Sequence, residues 1–365
     1  MSQILTSESV TEGHPDKVCD FIADSILDAC LEHDPGSRVA CEVLCKDDLV
    51  ALAGEITCRA PVDYEAVARD AVRTVGYVDP SEPFHFDGLR FVTQITDQSK
   101  EIGASVDEGS DGGQGAGDQG LMFGYATDET PELMPLPILL AHRLAAGLAE
   151  DRREGRSGWL RPDGKTQVSV EYEAGRPARV ATVLVSTQHG SGISASDIRH
   201  YVTTDLAPRV LGPWNSDSIE FIVNPSGSFE KGGPSADCGV TGRKIIVDSY
   251  GGAARHGGGA FSGKDASKVD RSGAYFCRFV ARQIVKAGLA RRAEVLVAYA
   301  IGQAQPVSVM VETFGTGDPA AAEVFVEKLD FSPKAIIDRL RLQEPIYRHT
   351  TNYGHFGRPG FEWER

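Results

Sequence analysis

The sequence predicts an α+β protein built from three pseudo-symmetric domains, each with helices packed on one face of a mixed β-sheet. Two observations support this fold class. A strand–turn–strand pattern occurs three times along the 365 residues, and its copies start roughly 127 residues apart. An amphipathic helical segment precedes each copy, and another helical segment follows it. Three units of this kind would each bury the apolar face of a sheet beneath helices, although no copy resembles another residue by residue.

The predicted hairpins cover residues 38–57, 167–188 and 294–314, and the first of them turns at a polar Lys-Asp-Asp sequence. Apolar residues at helical spacing predict a helix before and a helix after each hairpin. The helices before the hairpins are residues 16–32, 138–152 and 274–289. Those after the hairpins are residues 63–75, 194–211 and 332–340.

The first helix starts at a sequence that suits a helix N-terminus. Pro15 fits the first turn and Asp16 fits the positive end of the helix dipole, so the segment either only caps the helix or places His14 and Asp16 beside a bound phosphate. Acidic residues then recur at every fourth position, and we interpret this stripe as a solvated face without chemistry. Its members are Asp20, Asp24, Asp28 and Glu32.

Charge and composition exclude several classes of protein. Asp and Glu number 52 against 37 Lys and Arg, so the net charge of −15 argues against a general binder of nucleic acid or of anionic membranes. The seven cysteines include no Cys-x-x-Cys pair, as expected of free thiols in a reducing compartment. No apolar run approaches the ~20 residues of a membrane span, and the start lacks the apolar core of a signal peptide. We therefore expect a cytoplasmic protein.

Three generic motifs occur, and the context of each argues against it. Residues 115–120 fit G-x-G-x-x-G without the strand and helix of a dinucleotide site. Residues 258–264 fit the P-loop pattern, but Asp265 replaces the Ser or Thr that holds Mg²⁺, and the apolar strand predicted at 244–247 ends well before the loop. His256 opens a His-Gly-Gly-Gly sequence, yet the chain has no G-x-S-x-G elbow, which excludes an esterase.

Charged residues concentrate in the glycine-rich stretch 227–263 and just after it. The cations include Arg243, Lys244 and Lys264, and the carboxylates include Asp237 and Asp270. Backbone N–H groups and cations bind phosphate oxygens, while carboxylates hold Mg²⁺, so the mixture suits a polyphosphate with its magnesium ions. Surface ion pairing is the alternative explanation.

Four segments closely resemble the signature segments of the S-adenosylmethionine synthetase family: residues 12–17, 115–120, 239–244 and 257–265. The similarity extends from Leu5 to Trp363. The resemblance implies three domains over residues 1–100, 112–230 and 231–365 that interleave in space. It also implies a homodimer or homotetramer whose active sites lie between subunits.

The reaction implied by the resemblance joins ATP, L-methionine and water to give S-adenosylmethionine, phosphate and diphosphate. The methionine sulfur attacks C5′ of ATP and displaces tripolyphosphate, which is hydrolysed before release. A neutral thioether needs no general base, so catalysis should rest on positioning and on electrostatic stabilisation of the leaving group. Two Mg²⁺ per site and one K⁺ per subunit are the implied cofactors.

The resemblance also implies roles for individual residues. His14 would assist the departing oxygen, Asp16 and Asp270 would each ligate a Mg²⁺, and Glu42 would ligate K⁺. The tripolyphosphate would be held by Lys165, Arg243, Lys244 and Lys264. Further ATP-binding positions would be Asp163, Ser228, Phe229 as the adenine-stacking ring, Asp237 and Ala260. Methionine would be bound by Glu55, Gln98, Asp118, Asp237, Lys268 and Ile301.

The chain departs from the family pattern at several positions. Lys100 and Glu101 replace a usual Pro-Asp pair, Ala236 replaces a glycine, and Ser228 replaces an arginine beside Phe229. These changes bear on loop closure and nucleotide affinity. The glycine-rich, acidic segment 98–114 has no apolar periodicity, which predicts a mobile lid.

Two other functions fit the same residues. A phosphotransferase or NTPase would use the glycine-rich loop to cleave the γ-phosphate without methionine. A regulatory protein would bind ATP without converting it to a product. The products formed from ATP, methionine, Mg²⁺ and K⁺ distinguish the three functions.

Overall fold

The computed structural model describes residues 3–99 and 114–365, so residues 100–113, most of the predicted lid, lie outside the described residues. The strands are β1 (Gln3–Val10), β2 (Arg38–Lys46), β3 (Leu49–Thr57), β4 (Arg90–Thr96), β5 (Gly120–Thr127), β6 (Leu160–Glu173), β7 (Arg176–His189), β8 (Glu220–Val223), β9 (Gly239–Val240), β10 (Arg292–Tyr299) and β11 (Ser308–Glu312). The helices are α1 (Pro15–His33), α2 (Tyr64–Val75), α3 (Leu136–Arg153), α4 (Ala195–Tyr201), α5 (Ala207–Leu211), α6 (Ile245–Asp248), α7 (Val269–Lys286), α8 (Pro319–Val326) and α9 (Pro333–Leu340).

These strands form three sheets, and each sheet combines strands that are distant in the chain. The orders are β4-β3-β2-β9, β1-β6-β7-β8 and β11-β10-β5. Within the described ranges β3–β4 and β7–β8 pair in parallel, and the other neighbouring strands pair antiparallel. The predicted α+β class with three helix-and-sheet units is observed. The division at residues 1–100, 112–230 and 231–365 stays a prediction.

The predicted local elements form almost throughout. The hairpins are β2–β3, β6–β7 and β10–β11, and in the first of them Lys46 pairs with Leu49 across the predicted polar turn. All six predicted helices are present, as α1, α3 and α7 before the hairpins and α2, α4–α5 and α9 after them. A π-helical turn, Val202–Leu206, separates α4 from α5.

The strand predicted at 244–247 is wrong. This stretch forms the short helix α6, in which the Asp248 N–H donates to the Lys244 carbonyl at 2.8 Å. An apolar run of this length is too short for its pattern to distinguish a buried strand from a helical turn.

Two apolar cores support the sheets. The larger core unites the first and third sheets around α1 and α7 and includes Ile22, Val43 and Val297. The smaller core lies between the second sheet and α3 and includes Leu144 and Val168. Among the described helices, none is long and apolar enough to cross a membrane.

Candidate active site

The start of α1 is fixed by local packing and by its own cap. Gly13 lies so close to the second sheet that an added Cβ would be 2.4 Å from Pro162 of β6. Pro15 opens the helix, and His14 Nδ1 accepts a hydrogen bond from the Asp16 N–H at 3.2 Å. His14 therefore caps α1 with its side chain, at the helix start that the sequence predicts.

The surroundings of His14 determine its protonation. Burial, the neighbouring Lys244 and other cations lower the pKa of His14 to about 3, although Asp16 opposes the shift. The imidazole is therefore neutral at pH 7. Because its Nδ1 accepts a hydrogen bond, the proton lies on Nε2. His14 can offer an uncharged N–H donor to a ligand at this helix start.

Asp16 brings two cations to the same helix N-terminus. Lys244 Nζ lies 2.6 Å from Asp16 Oδ2, and Arg243 Nε lies 3.8 Å from Asp16 Oδ1. The Val240 N–H donates to Oδ1 at 3.0 Å. Burial, the largest influence, would raise the pKa of Asp16, but Lys244 and the Val240 N–H outweigh it and lower the pKa. Asp16 is consequently an ionised carboxylate.

Asp163 and Gln188 hold the loop that follows β8. Asp163 Oδ2 accepts from the Gly233 N–H at 2.8 Å. Gln188 accepts from the Asp163 N–H at 3.2 Å and donates to the Glu230 carbonyl at 3.0 Å. Burial raises the pKa of Asp163 to about 6. The loop is thereby tied to β6 and β7 close to the start of α1.

This loop lines a cavity of about 250 Å³. The Phe229 N–H donates to His189 Nε2 at 3.0 Å, which holds the aromatic residue at the cavity wall. Ser228 is exposed, and its hydroxyl donates to Glu230 at 3.2 Å. Lys165 of β6 is also exposed, and it pairs with Ser186 of β7, which lines the cavity. The lining residues are Ser186, Asn224, Ser226, Gly227, Ser228 and Phe229.

A second group of charges surrounds the glycine-rich loop before α7. Lys264 Nζ lies 2.6 Å from Asp270 Oδ2, and Lys268 forms an ion pair with Asp265. Gly259 passes this site so closely that an added Cβ would lie 2.1 Å from Asp270 Oδ1. Lys264 therefore has its carboxylate partner in the first turn of α7, and Lys268 has its partner in the preceding loop.

Four of the residues predicted to bind methionine lie at or near the ends of strands. Glu55 is exposed near the end of β3, and the Gln98 N–H, just beyond β4, donates to the Thr57 hydroxyl at 3.0 Å. Asp118 and Ile301, both exposed, lie two residues beyond the paired ends of β5 and β10. Asp237, also predicted to bind methionine, lies just before β9, is exposed and accepts from the Cys238 N–H at 2.8 Å. Glu42, the predicted K⁺ ligand, lies in β2 and accepts from the Thr241 hydroxyl just beyond β9.

The two charge groups approach each other at Gly242 and Ala260. Gly242 has a φ of 72°, and an added Cβ would lie 2.6 Å from the Ala260 Cβ. Within residues 3–99 and 114–365 no hydrogen bond or ion pair joins the groups directly. The first group is His14, Asp16, Asp163, Arg243 and Lys244, and the second group is Lys264, Lys268 and Asp270.

The donor set fits magnesium better than zinc. Asp16 and Asp270 supply hard carboxylate oxygens, and no group of three or more potential metal ligands occurs in the described part of the chain. Mg²⁺ binds through one or two protein carboxylates and completes its coordination with phosphate oxygens and water. Structural zinc needs four closely grouped nitrogen or sulfur ligands.

Comparison with known proteins decides between the functions that these residues allow. Family models of S-adenosylmethionine synthetase match the chain in three parts: the N-terminal domain at residues 2–100, the central domain at 113–229 and the C-terminal domain at 231–365. The chain belongs to the S-adenosylmethionine synthetase family.

Relatives named S-adenosylmethionine synthase support the same assignment. The protein of Sorangium cellulosum (strain So ce56) is 53% identical over 367 residues, covering 99% of this chain and 87% of the relative. The protein of Brachyspira hyodysenteriae is 50% identical over 378 residues (99% and 95%), and that of Akkermansia muciniphila is 51% identical over 373 residues (99% and 95%). As a member of the S-adenosylmethionine synthetase family, the chain is an enzyme, a methionine adenosyltransferase.

The interpretation of the acidic stripe as a solvated face is wrong, except for the exposed Glu32. Asp20, Asp24 and Asp28 are 0%, 0% and 2% exposed. Each accepts backbone N–H groups from the C-terminal third of the chain: Gly242 donates to Asp20 at 2.9 Å, Gly263 to Asp24 at 2.8 Å, and Tyr347 and Arg348 to Asp28 at 2.9 and 2.8 Å.

Two buried cations that the sequence did not point to compensate two of these carboxylates, Asp20 and Asp24. Lys17 donates to Asp20 at 3.0 Å and to Asp248 at 2.6 Å. Arg271 forms two hydrogen bonds with Asp24, at 2.8 and 2.7 Å. The sequence contained one indication of such a pair. Arg271 precedes a strongly apolar stretch of helix, and a guanidinium buried there needs a carboxylate partner.

Proposed function

We propose that this chain forms S-adenosylmethionine from ATP and L-methionine and releases phosphate and diphosphate. The methionine sulfur attacks C5′, the C5′–O5′ bond breaks, and water cleaves the tripolyphosphate before it leaves. The observation that carries the proposal is the cation pair Arg243 and Lys244 at the start of α1, near a cavity walled by Phe229. Adenine would stack on Phe229, with Asp163, Ser228, Asp237 and Ala260 as further contacts of the nucleotide.

In this proposal His14 stabilises the departing oxygen O5′. Its neutral Nε2–H donates a hydrogen bond that strengthens as negative charge develops, without a full proton transfer. Lys165, Arg243 and Lys264 balance the charge of the tripolyphosphate. Each tenfold gain in rate requires ~1.4 kcal/mol of selective transition-state stabilisation, so several such contacts add up to a large acceleration.

Asp16 and Asp270 would each hold one of two Mg²⁺ ions, and Glu42 would hold K⁺. Bound Mg²⁺ would neutralise charge on the phosphate oxygens. Lys244 and Lys264 lie 2.6 Å from these carboxylates, so they are close enough to contact the same phosphate groups. The hard oxygen donors of both aspartates support this assignment.

Methionine would be bound by residues near strand ends together with Lys268 at the start of α7. Lys268 would face its carboxylate, Asp237 its ammonium group, and Asp118 the developing sulfonium. Glu55, Gln98 and Ile301 would complete the pocket. The exposure of Glu55, Asp118 and Ile301 supports a role toward a ligand or a second subunit, because none of them is needed in the core.

We also propose that two copies assemble into a homodimer, or a homotetramer of such pairs, with each active site between subunits. The exposed apolar side chains of Val92, Leu121 and Met310 support this arrangement, because large exposed apolar side chains are typical of surfaces that another chain covers. A complementation assay tests it. Chains carrying His14→Asn and chains carrying Lys264→Ala, each inactive alone, should regain activity when mixed and reassembled. If activity does not recover in the mixture, each active site lies within one chain.

The reducing cytoplasm is the proposed location, and the seven free cysteines support it. Net charge of −15 argues against a nucleic-acid partner. The domain division at residues 1–100, 112–230 and 231–365 is part of the same proposal.

Product identification tests the proposed function directly. The protein is incubated with ATP, L-methionine, Mg²⁺ and K⁺, and the products are identified by mass spectrometry. We expect S-adenosylmethionine, phosphate and diphosphate in equal amounts. ADP as the main nucleotide product would show a phosphotransferase or NTPase, and ATP binding without any product would show a regulatory protein.

A further inference from the structure

Helix α1 and the segment before Arg243 run side by side in matching register. Asp16 accepts from the Val240 N–H at 3.0 Å, and one helical turn later Asp20 accepts from the Gly242 N–H at 2.9 Å. Two carboxylates one turn apart on α1 therefore bind two amides of the short segment from Val240 to Gly242.

Gly242 is held from two sides. Asp20 binds its N–H, and on another side the Ala260 Cβ leaves no room for a side chain. Its φ of 72° belongs to the left-handed region, where the chain turns sharply. The next two residues are Arg243 and Lys244, so the orientation of the Gly242 peptide sets the direction from which both cations leave the backbone.

We propose that Asp20 is a positioning residue of the phosphate site, because its bond to Gly242 fixes the backbone that carries Arg243 and Lys244. The inference rests on the proposed function of these two cations. Asp20 is fully buried, so it acts through Gly242. Lys17 compensates its charge from inside the protein at 3.0 Å.

Two substitutions of Asp20 separate the position of its acceptor oxygen from its negative charge. Asp20→Asn keeps an oxygen for the Gly242 N–H and removes the charge, while Lys17 retains its 2.6 Å bond to Asp248. Asp20→Glu keeps the charge and moves the oxygen by one methylene group. Since a shift of about 1 Å can cost about 10²-fold in rate, we expect Asp20→Glu to lose about 10²-fold in kcat and Asp20→Asn to stay within about fivefold of the unsubstituted enzyme. The KM for methionine should remain unchanged in both.

Asp28 provides the matched control. It lies on the same face of α1, is equally buried and accepts two backbone N–H groups, but its partners Tyr347 and Arg348 carry none of the assigned residues. Asp28→Asn and Asp28→Glu should lower thermal stability and leave kcat per folded molecule unchanged. Circular dichroism gives the folded fraction to which every rate is normalised.

Binding of inorganic tripolyphosphate, measured by calorimetry, tests the same inference without turnover. Asp20→Glu should weaken binding at least tenfold, whereas Asp20→Asn and the Asp28 variants should not. Unchanged kcat and binding in Asp20→Glu would overturn the proposal, as would equal losses in the Asn and Glu variants. A wild-type chain that makes no S-adenosylmethionine would refute the proposed function alone, because tripolyphosphate binding still decides the role of Asp20.

Discussion

Lys264 Nζ lies 2.6 Å from Asp270 Oδ2, and this contact joins the glycine-rich loop to the first turn of α7. Both side chains remain partly accessible, so a ligand can reach them. The same separation joins Lys244 to Asp16 at the start of α1. Each of the two carboxylates assigned to magnesium is thus already accompanied by a lysine assigned to phosphate.

Removing either member of the Lys264–Asp270 pair should abolish most of the activity. We expect Lys264→Ala and Asp270→Asn each to reduce kcat by about 10²–10³-fold, because a preorganised charge at the leaving group is lost. Steady-state kinetics and circular dichroism measure rate and folding. Lys334→Ala, which removes a lysine from an exposed pair with Asp338, is the control and should have a normal rate. Near-normal rates in folded Lys264 and Asp270 variants would refute the assigned roles.

Ser228→Arg should strengthen ATP binding. Ser228 lines the cavity beside Phe229 with an exposed hydroxyl, and an arginine there would add a cation near the nucleotide. A charge-assisted contact contributes about 1.5–3 kcal/mol when ordered and less when water screens it, so the KM for ATP should fall several-fold while kcat stays near its starting value. Ser216→Arg adds the same charge outside the cavity as a control. An unchanged KM for ATP would show that position 228 does not contact the nucleotide.

Asp28 should make stability depend on pH. Burial and Asp24 raise the pKa of Asp28 from 3.8 to about 7, against the opposing effects of the Arg348 and Tyr347 N–H groups and of Arg271. Between these two values the folded chain keeps a proton that the unfolded chain has released. The contribution of Asp28 to stability therefore decreases as the pH rises from about 4 to about 7, by ~1.4 kcal/mol per pH unit, and is constant above that range.

Urea unfolding of Asp28→Asn at pH 5, 6, 7 and 8 tests this dependence. The free energy of unfolding of the variant, relative to the unsubstituted protein, should improve as the pH rises to 7 and then level off. Asp338→Asn, at an exposed ion pair, should show no such trend. A constant difference between the Asp28 variant and the unsubstituted protein would mean that Asp28 is already ionised at pH 5.

The Arg271–Asp24 pair should behave as a buried ion pair. Arg271→Met leaves the Asp24 carboxylate without its cation and should destabilise the fold by about 3–5 kcal/mol. Adding Asp24→Asn to the same chain removes the buried charge and should recover part of that loss. Arg73→Met, at an exposed pair with Asp70, should change the free energy of unfolding by less than about 1 kcal/mol. Equal losses in the Arg271 and Arg73 variants would contradict the assignment.

Local patterns in the sequence were sufficient to predict the hairpins and helices, because the alternation of apolar and polar residues and the helical periodicity both appear within a few residues. The helix start at Pro15 and the turn after Lys46 were predictable for the same reason. The stripe at Asp20, Asp24 and Asp28 was not, since carboxylates every fourth residue give the same pattern on a solvated face and on a buried one. Their partners lie 222 to 320 residues further along the chain, which no local pattern encodes. The cavity beside Phe229 likewise depends on contacts between β6, β7 and the loop after β8.

The pairing of β9 with β2 has a consequence for synthesis on the ribosome. When residue 100 has emerged, the first sheet lacks its β9 edge, and the carboxylates of Asp16 to Asp28 have none of the amide partners supplied by residues 240–348. Nascent α1 would then have to bury charge without compensation, which is unfavourable. We expect this segment to remain unfolded or bound by a chaperone until most of the chain has left the exit tunnel, so that folding is largely post-translational.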